Sequence, residues 1–207
     1  MKCPRVADIL LVLDQSRSII TADPSFDNWH VNVLGFAKGV VDGFPIDRNL
    51  TQVAVVKFSN DSKIVFFLNT YNNRTSMLSA IDNIDIEGSG QRNLAAALRA
   101  GRSMFNTSNG SRGGVPKLLV LLTDGVATLE ANQTLEEANR TKEADIVIYT
   151  VGVGNDVDMD ELRAIASKPE FFFFAHNFTD LNNVIPYLDE NVCEEAAMLP
   201  TTGMQKF

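Results

Sequence analysis

The chain has 207 residues, 45% of them hydrophobic, with 18 Lys and Arg against 26 Asp and Glu for a net charge of -8. That length favours one sizeable domain with a proper core over two small ones. The charge is spread along the chain and not held in basic clusters, which argues against a nucleic-acid backbone as partner.

The opening Met1-Lys2-Cys3-Pro4-Arg5 is not a secretory leader, because Arg5 and Asp8 interrupt any apolar core. No run approaches the roughly 18 apolar residues that a bilayer span needs, so direct membrane insertion is not expected. Residues 7–13 read as a fully buried strand that stops at Asp14, with Ser16 and Ser18 following at alternate positions. An ionised carboxylate seldom ends such an apolar run unless something binds it. Three oxygen donors at this spacing suit a hard cation such as Mg2+.

Residues 16–24 read as loop. From Ser25, a plausible N-cap, the apolar positions Phe26, Trp29, Val33, Phe36 and Val40 step by three and four, which predicts a helix ended by Gly43 and Pro45. His30 falls off that stripe, as a surface residue does. Residues 51–59 and 63–68 read as strands of a hairpin turned at Asn60-Asp61-Ser62. A short helix over 74–83 points Met77, Leu78 and Ile81 inward. The flexible Gly88-Ser89-Gly90 then leads into an Ala- and Leu-rich helix over 93–105, and 106–114 is exposed loop.

Residues 117–123 repeat the first pattern: an apolar strand, then Asp124-Gly125 at its exit. Side by side, the two strands would bring Asp14 and Asp124 within reach of one ion. A helix over 133–142, a strand over 146–151, a helix over 158–167, a strand over 171–174 and a helix over 181–192 complete the chain. The Gly-x-Gly at 152–154 lacks the third glycine of a dinucleotide site. The four phenylalanines at 171–174 are expected near the sheet edge with some aromatic surface exposed.

Strands alternating with helices of this length predict an α/β fold, a doubly wound and mainly parallel sheet with helices on both faces. Ligands of such sheets bind beyond the carboxyl ends of the strands, where strand order reverses. Compartment comes from another count. Eight Asn-x-Ser/Thr acceptors occur, at Asn49, Asn60, Asn73, Asn106, Asn109, Asn132, Asn139 and Asn177. With this composition chance supplies about two, so the excess points to a glycosylated, secreted, extracellular chain.

Asp14-x-Ser16-x-Ser18 after one apolar strand and Thr123-Asp124-Gly125 after another resemble the von Willebrand factor type A domain with its metal-ion-dependent adhesion site. Residues 51–59, the Leu78-Ser-Ala-Ile81 helix, residues 146–154 and residues 162–167 are similar to the matrilin and collagen branch. The likeness covers about residues 6–192.

The resemblance implies a six-stranded sheet with the 63–68 strand as its antiparallel edge. It also implies Mg2+ (or Mn2+ or Ca2+) held by Asp14, Ser16, Ser18, a threonine from a second loop, and Asp124. The partner it implies is an extracellular protein, such as collagen or another matrix protein, whose acidic side chain completes the coordination. The second loop departs from the family's Gly-Gly-Thr-Asn-Thr: here Arg92 falls where the threonine belongs. Either metal still binds with Gln91, Asn93 or water in the gap, or the Arg92 guanidinium takes the ion's place, or Arg92 points to solvent.

In this fold Cys3 and Cys193 would lie together on the face away from the metal site and could close a disulfide. The domain is expected over 1–193. Residues 194–207 then form a flexible tail or linker, whose Leu199-Pro200-Thr201-Thr202-Gly203 spells a sorting signal but lacks its hydrophobic stretch, and so reads as chance, a tag remnant or a linker. An adhesion module gripping an acidic ligand through the cation is the leading expectation. A structural matrix module with a degenerate, metal-free site is the alternative. An enzyme is not expected, since His176 has no acid or nucleophile spaced to work with it.

Overall fold

A computed structural model describes residues 6–21, 28–87 and 90–198. Six strands form one sheet: β1 (Ala7–Asp14), β2 (Thr51–Phe58), β3 (Ser62–Phe66), β4 (Lys117–Thr123), β5 (Ile146–Val153) and β6 (Phe172–Ala175), in the order β3-β2-β1-β4-β5-β6. All neighbours are parallel except β3, which runs antiparallel along the edge against β2. β1 is flanked by β2 and β4, so the chain's first strand lies at the centre and the strand order reverses around it. The apolar runs of β1 and β4 are continuous because both of their faces are covered.

Alternate residues of β1 feed two separate cores. Ile9, Leu11 and Leu13 pack with α2 (Leu34–Asp42), α3 (Arg74–Asp82) and α7 (Leu181–Met198). Leu10 and Val12 pack with α4 (Leu94–Met104), α5 (Thr134–Glu143) and α6 (Met159–Ile165). Of the stripe that predicted the second helix, Trp29, Val33, Phe36 and Val40 are all buried. Ser25 and Phe26 lie outside the described residues. That helix starts with a wide π turn over Asn28–Val33, in which Trp29 donates its indole N–H to the Ile84 carbonyl at 2.7 Å.

The stretch expected as loop after Asp14 contains a short helix, α1 (Arg17–Thr21). Its cause is local: Asp14 accepts the Ser16 N–H, turning the chain, and the Ile19 N–H then reaches the Ser16 carbonyl. α7 runs to Met198, past residue 192 where the sequence pattern placed its end. The phenylalanine run does reach the sheet edge, with Phe172, Phe173 and Phe174 half-buried in β6.

The carboxyl ends of β1, β2, β4, β5 and β6 form a crest; the opposite pole holds the start of β1 and the end of α7. That pole is clamped by Arg112, which pairs with the fully buried Asp8 through Nε at 2.9 Å and Nη2 at 2.6 Å. The same guanidinium donates to the Ala7, Arg48 and Leu50 carbonyls, tying β1 and the loop before β2 to one side chain.

Candidate functional site

β1 ends in Asp14 and β4 in Thr123-Asp124, and because these strands are neighbours their exits lie side by side on the crest. Asp14 is fully buried. Its Oδ1 accepts the Ser16 N–H at 2.7 Å and its Oδ2 accepts the Thr123 hydroxyl at 2.7 Å. Burial, and then the charge of Asp124, push its carboxyl above the ordinary range, against the pull of those hydrogen bonds. The Ser16 and Ser18 hydroxyls are 3.0 Å apart, and Ser18 donates to Asp124 Oδ1 at 2.8 Å. Four expected site residues therefore converge: Asp14, Ser16, Ser18 and Asp124.

Arg92 completes the cluster. Its side chain is only 14% exposed, so it does not point to solvent. Nε donates to Asp124 Oδ1 at 3.0 Å and faces Asp14 Oδ2 at 3.4 Å; Nη2 donates to the Ser18 hydroxyl at 2.7 Å. The two carboxylates thus meet across a single guanidinium nitrogen.

The fit to a resident cation fails on this geometry, since the space between the donors holds a positive group already. Gln91 and Asn93 do not fill a ligand's place. Gln91 is exposed, with its N–H on Asn60. Asn93 uses Oδ1 to cap α4 through the Ala96 N–H and Nδ2 to reach Glu130. Among the described residues, no group of three or more His, Cys, Asp or Glu is placed to hold a metal.

Backbone contacts set where Arg92 points. Its N–H donates to the Thr128 hydroxyl at 2.8 Å, and its carbonyl accepts the N–H groups of Thr128 and Leu129. Gly125 lets the guanidinium lie flat: a Cβ there would come within 2.5 Å of Cζ. Sequence reasoning singled out Arg92 and passed over Thr128. The quoted Thr123-Asp124-Gly125 was the one signal for Thr123 and Gly125, read there only as a family mark.

The von Willebrand factor type A domain family matches residues 8–186. The chain belongs to that family. Among its relatives, the collagen alpha-1(XII) chain of Notophthalmus viridescens is 33% identical over 190 residues, covering 90% of this chain and 19% of that protein. Matrilin-3 of Mus musculus is 29% identical over 207 residues, covering 97% of this chain and 41% of that one. The chain thus spans less than half the length of these matrix-protein relatives.

Among solved structures, proximal thread matrix protein 1 of the mussel byssus superposes with a TM-score of 0.88 at 25% identity, over 93% of this chain and 49% of that one. One structure of that protein has a zinc-occupied metal-ion-dependent adhesion site motif. Manganese-loaded TRAP protein of Plasmodium vivax shares the fold, with a TM-score of 0.71 at 21% identity over 90% of this chain and 74% of that one. A divalent cation thus occurs in the motif of the mussel protein, whereas here an arginine lies among Asp14, Ser18 and Asp124.

Other sites read from the sequence fall as follows. Asn49, Asn60, Asn73, Asn106, Asn132, Asn139 and Asn177 are exposed, while Asn109 is half-buried with its Nδ2 on the Ser103 carbonyl. No free cysteine occurs among the described residues. Cys3 lies outside the described residues. No described helix is long and apolar enough to cross a membrane.

Proposed function

We propose that this chain is a non-enzymatic, extracellular module of a matrix protein that joins a protein partner without a divalent cation. The observation that carries this reading is the Arg92 guanidinium between Asp14 and Asp124, bonded to Ser18. A cation held by two carboxylates and neutral hydroxyls stays electrophilic and attracts an outside anion. A guanidinium whose Nε and Nη2 are already committed does not. Kinship with collagens and matrilins supports the matrix setting. The eight acceptor sequons support a secreted, glycosylated chain, and the lack of a free cysteine among the described residues supports a Cys3–Cys193 closure. The module extends past the expected boundary at residue 193, through the end of α7 at Met198, with Glu195 paired to Lys168.

A second reading keeps Mg2+ (or Mn2+ or Ca2+) on Asp14, Ser16, Ser18 and Asp124, gripping an acidic side chain of a partner such as collagen. The zinc-occupied motif of the mussel protein favours it. Surface plasmon resonance of the glycosylated chain over immobilised collagen fibrils and over itself, in Mg2+ and in EDTA, separates the two. Equal affinity in both buffers is the expected outcome. Binding abolished by the chelator would transfer the case to the second reading.

A further inference from the structure

We infer that N-glycans on Asn60, Asn132 and Asn177 wall the crest and keep a macromolecular partner off it, so that the module joins its partner through another surface. The inference rests on the secreted, glycosylated reading above and goes beyond it to which acceptors serve the crest.

The three acceptors stand around the crest. Asn60 follows the exit of β2, the neighbour of β1, and its Oδ1 accepts the Gln91 N–H at 3.0 Å, one residue from Arg92. Asn132 lies in the short turn Ala131–Gln133, just past the loop whose Thr128 and Leu129 bond the Arg92 carbonyl. Asn177 comes just after β6, two strands from β4, which is about 10 Å across the sheet. All three are exposed. Bulky carbohydrate on them borders the crest on the β2 side, the α5 side and the β6 side.

An acceptor needs a hydroxyl two residues past its Asn. At the sequons of Asn60 and Asn132 that hydroxyl has no part in the fold. Ser62 Oγ and Thr134 Oγ1 are buried, and neither has a hydrogen-bond partner among the described residues. No other hydroxyl of the described residues is left buried in this way. An orphaned buried hydroxyl destabilises a protein, and an apolar side chain of the same shape would serve the fold better. The acceptor motif supplies the use that the fold does not. Elsewhere the fold does use it: Thr141, in the sequon of Asn139, donates to the Glu137 carbonyl at 2.7 Å, and Ser111, in that of Asn109, bonds Asp8. In the third crest sequon Thr179 donates to Asn177 Oδ1 at 2.6 Å, a bond confined to the sequon itself.

The co-reactant is an oligosaccharide carried on a lipid diphosphate. The Asn Nδ2 bonds to the anomeric carbon, the bond from that carbon to the diphosphate oxygen breaks, the lipid diphosphate leaves and Nδ2 gives up one proton. With the three sugars in place the crest is closed to a folded partner and stays open to ions and small reagents.

Secretion from mammalian cells, followed by peptide N-glycosidase, which turns each occupied Asn into Asp, reads occupancy by peptide mass. Asn60, Asn132 and Asn177 are all expected to be occupied. Access is read on Gln91→Cys, an exposed position one residue from Arg92. Its thiol is expected to react with N-ethylmaleimide at one rate before and after sugar release. With a long poly(ethylene glycol) maleimide it should react roughly tenfold or more faster after release. Ser62→Ala and Thr134→Val are each expected to lose the glycan on the Asn two residues before. Made in a host that adds no N-glycan, both are expected to melt at or above the wild-type temperature.

Any of the three left bare on a chain glycosylated elsewhere sinks the inference and spares the secreted reading. A secreted chain with no N-glycan at all overturns both. Equal rates for the long maleimide, with all three occupied, remove the wall. A melting temperature lower by about 2–4 °C in either hydroxyl variant, the size of one lost hydrogen bond, overturns the assignment of that hydroxyl to the acceptor alone. Occupancy of the wild type decides even where the thiol variant does not fold.

Discussion

A guanidinium wedged between two carboxylates needs room over its flat face, and Gly125 supplies it. Gly125→Ala would set a Cβ within 2.5 Å of the Arg92 Cζ, so the guanidinium must shift from its place between the carboxylates. Breaking a buried ionic cluster by removing one partner costs about 3–5 kcal/mol, because the remaining charges stay buried without compensation. Urea denaturation of Arg92→Ala is expected to show a loss in that range, and Gly125→Ala a smaller one, since the flexible guanidinium can shift and keep part of its pairing. Thr128→Val, which removes one hydrogen bond to the Arg92 N–H, should lose only about 1 kcal/mol. The residue-level lesson concerns what spacing conveys. The alternation Asp14-x-Ser16-x-Ser18 and the placement of Arg92 in the second loop were legible. The inward turn of Arg92 was not, because it depends on Thr128, 36 positions away, and on the missing side chain of Gly125.

The pairing of α2 with α7 shows a different tension at the scale of elements. A Cβ at Gly39 would strike Ile185, and one at Gly43 would strike the Asp189 carboxylate, so small residues on and just past α2 admit α7 closely. Asp189 has a buried Oδ1 with no hydrogen-bond partner among the described residues. Burial, with the charge of Asp42 added, pushes its carboxyl up to about 7. Between its ordinary value of 3.8 and about 7 the folded chain keeps a proton that the unfolded chain has released. Folded protein binds more protons there, so stability falls as pH rises through that window and levels off above it. Asp189→Asn is expected to flatten the slope. At pH 8 it should gain on the order of 1–2 kcal/mol, a figure reduced for partial solvent screening; thermal melts across the pH range check both. The length of α7 was readable further than residue 192: Glu194, Glu195, Ala196, Ala197 and Met198 are good helix formers, and the first breaker is Pro200. The π turn over Asn28–Val33 had no such signal. Its apolar spacing matches an ordinary helix, and contacts distant in sequence, such as Trp29–Ile84, help set its place in the fold.

For the whole molecule, the continuous apolar runs of β1 and β4 announced a covered parallel sheet, and the Asp at each exit announced the crest. Right-handed crossovers restricted the topology to a doubly wound sheet, while the strand order itself is seen only in the structure. The opposite pole was less legible, since the Asp8–Arg112 clamp joins positions 104 apart and nothing in the strand's own pattern names the partner of Asp8. Both the beginning of β1 and the end of α7 lie at that pole, which is where a Cys3–Cys193 bridge would close. Thiol titration of the native chain is expected to find no reactive cysteine. Reduction should lower stability by about 4–5 kcal/mol in the chain-entropy account of so long a loop; two reactive thiols in the folded protein would rule the bridge out. Eight residues of strand, about 26 Å, separate this pole from the crest. Tension handed along a row of such modules would therefore enter and leave each one at its base. The arginine-locked summit would hang outside the line of force, keeping its shape while the filament stretches.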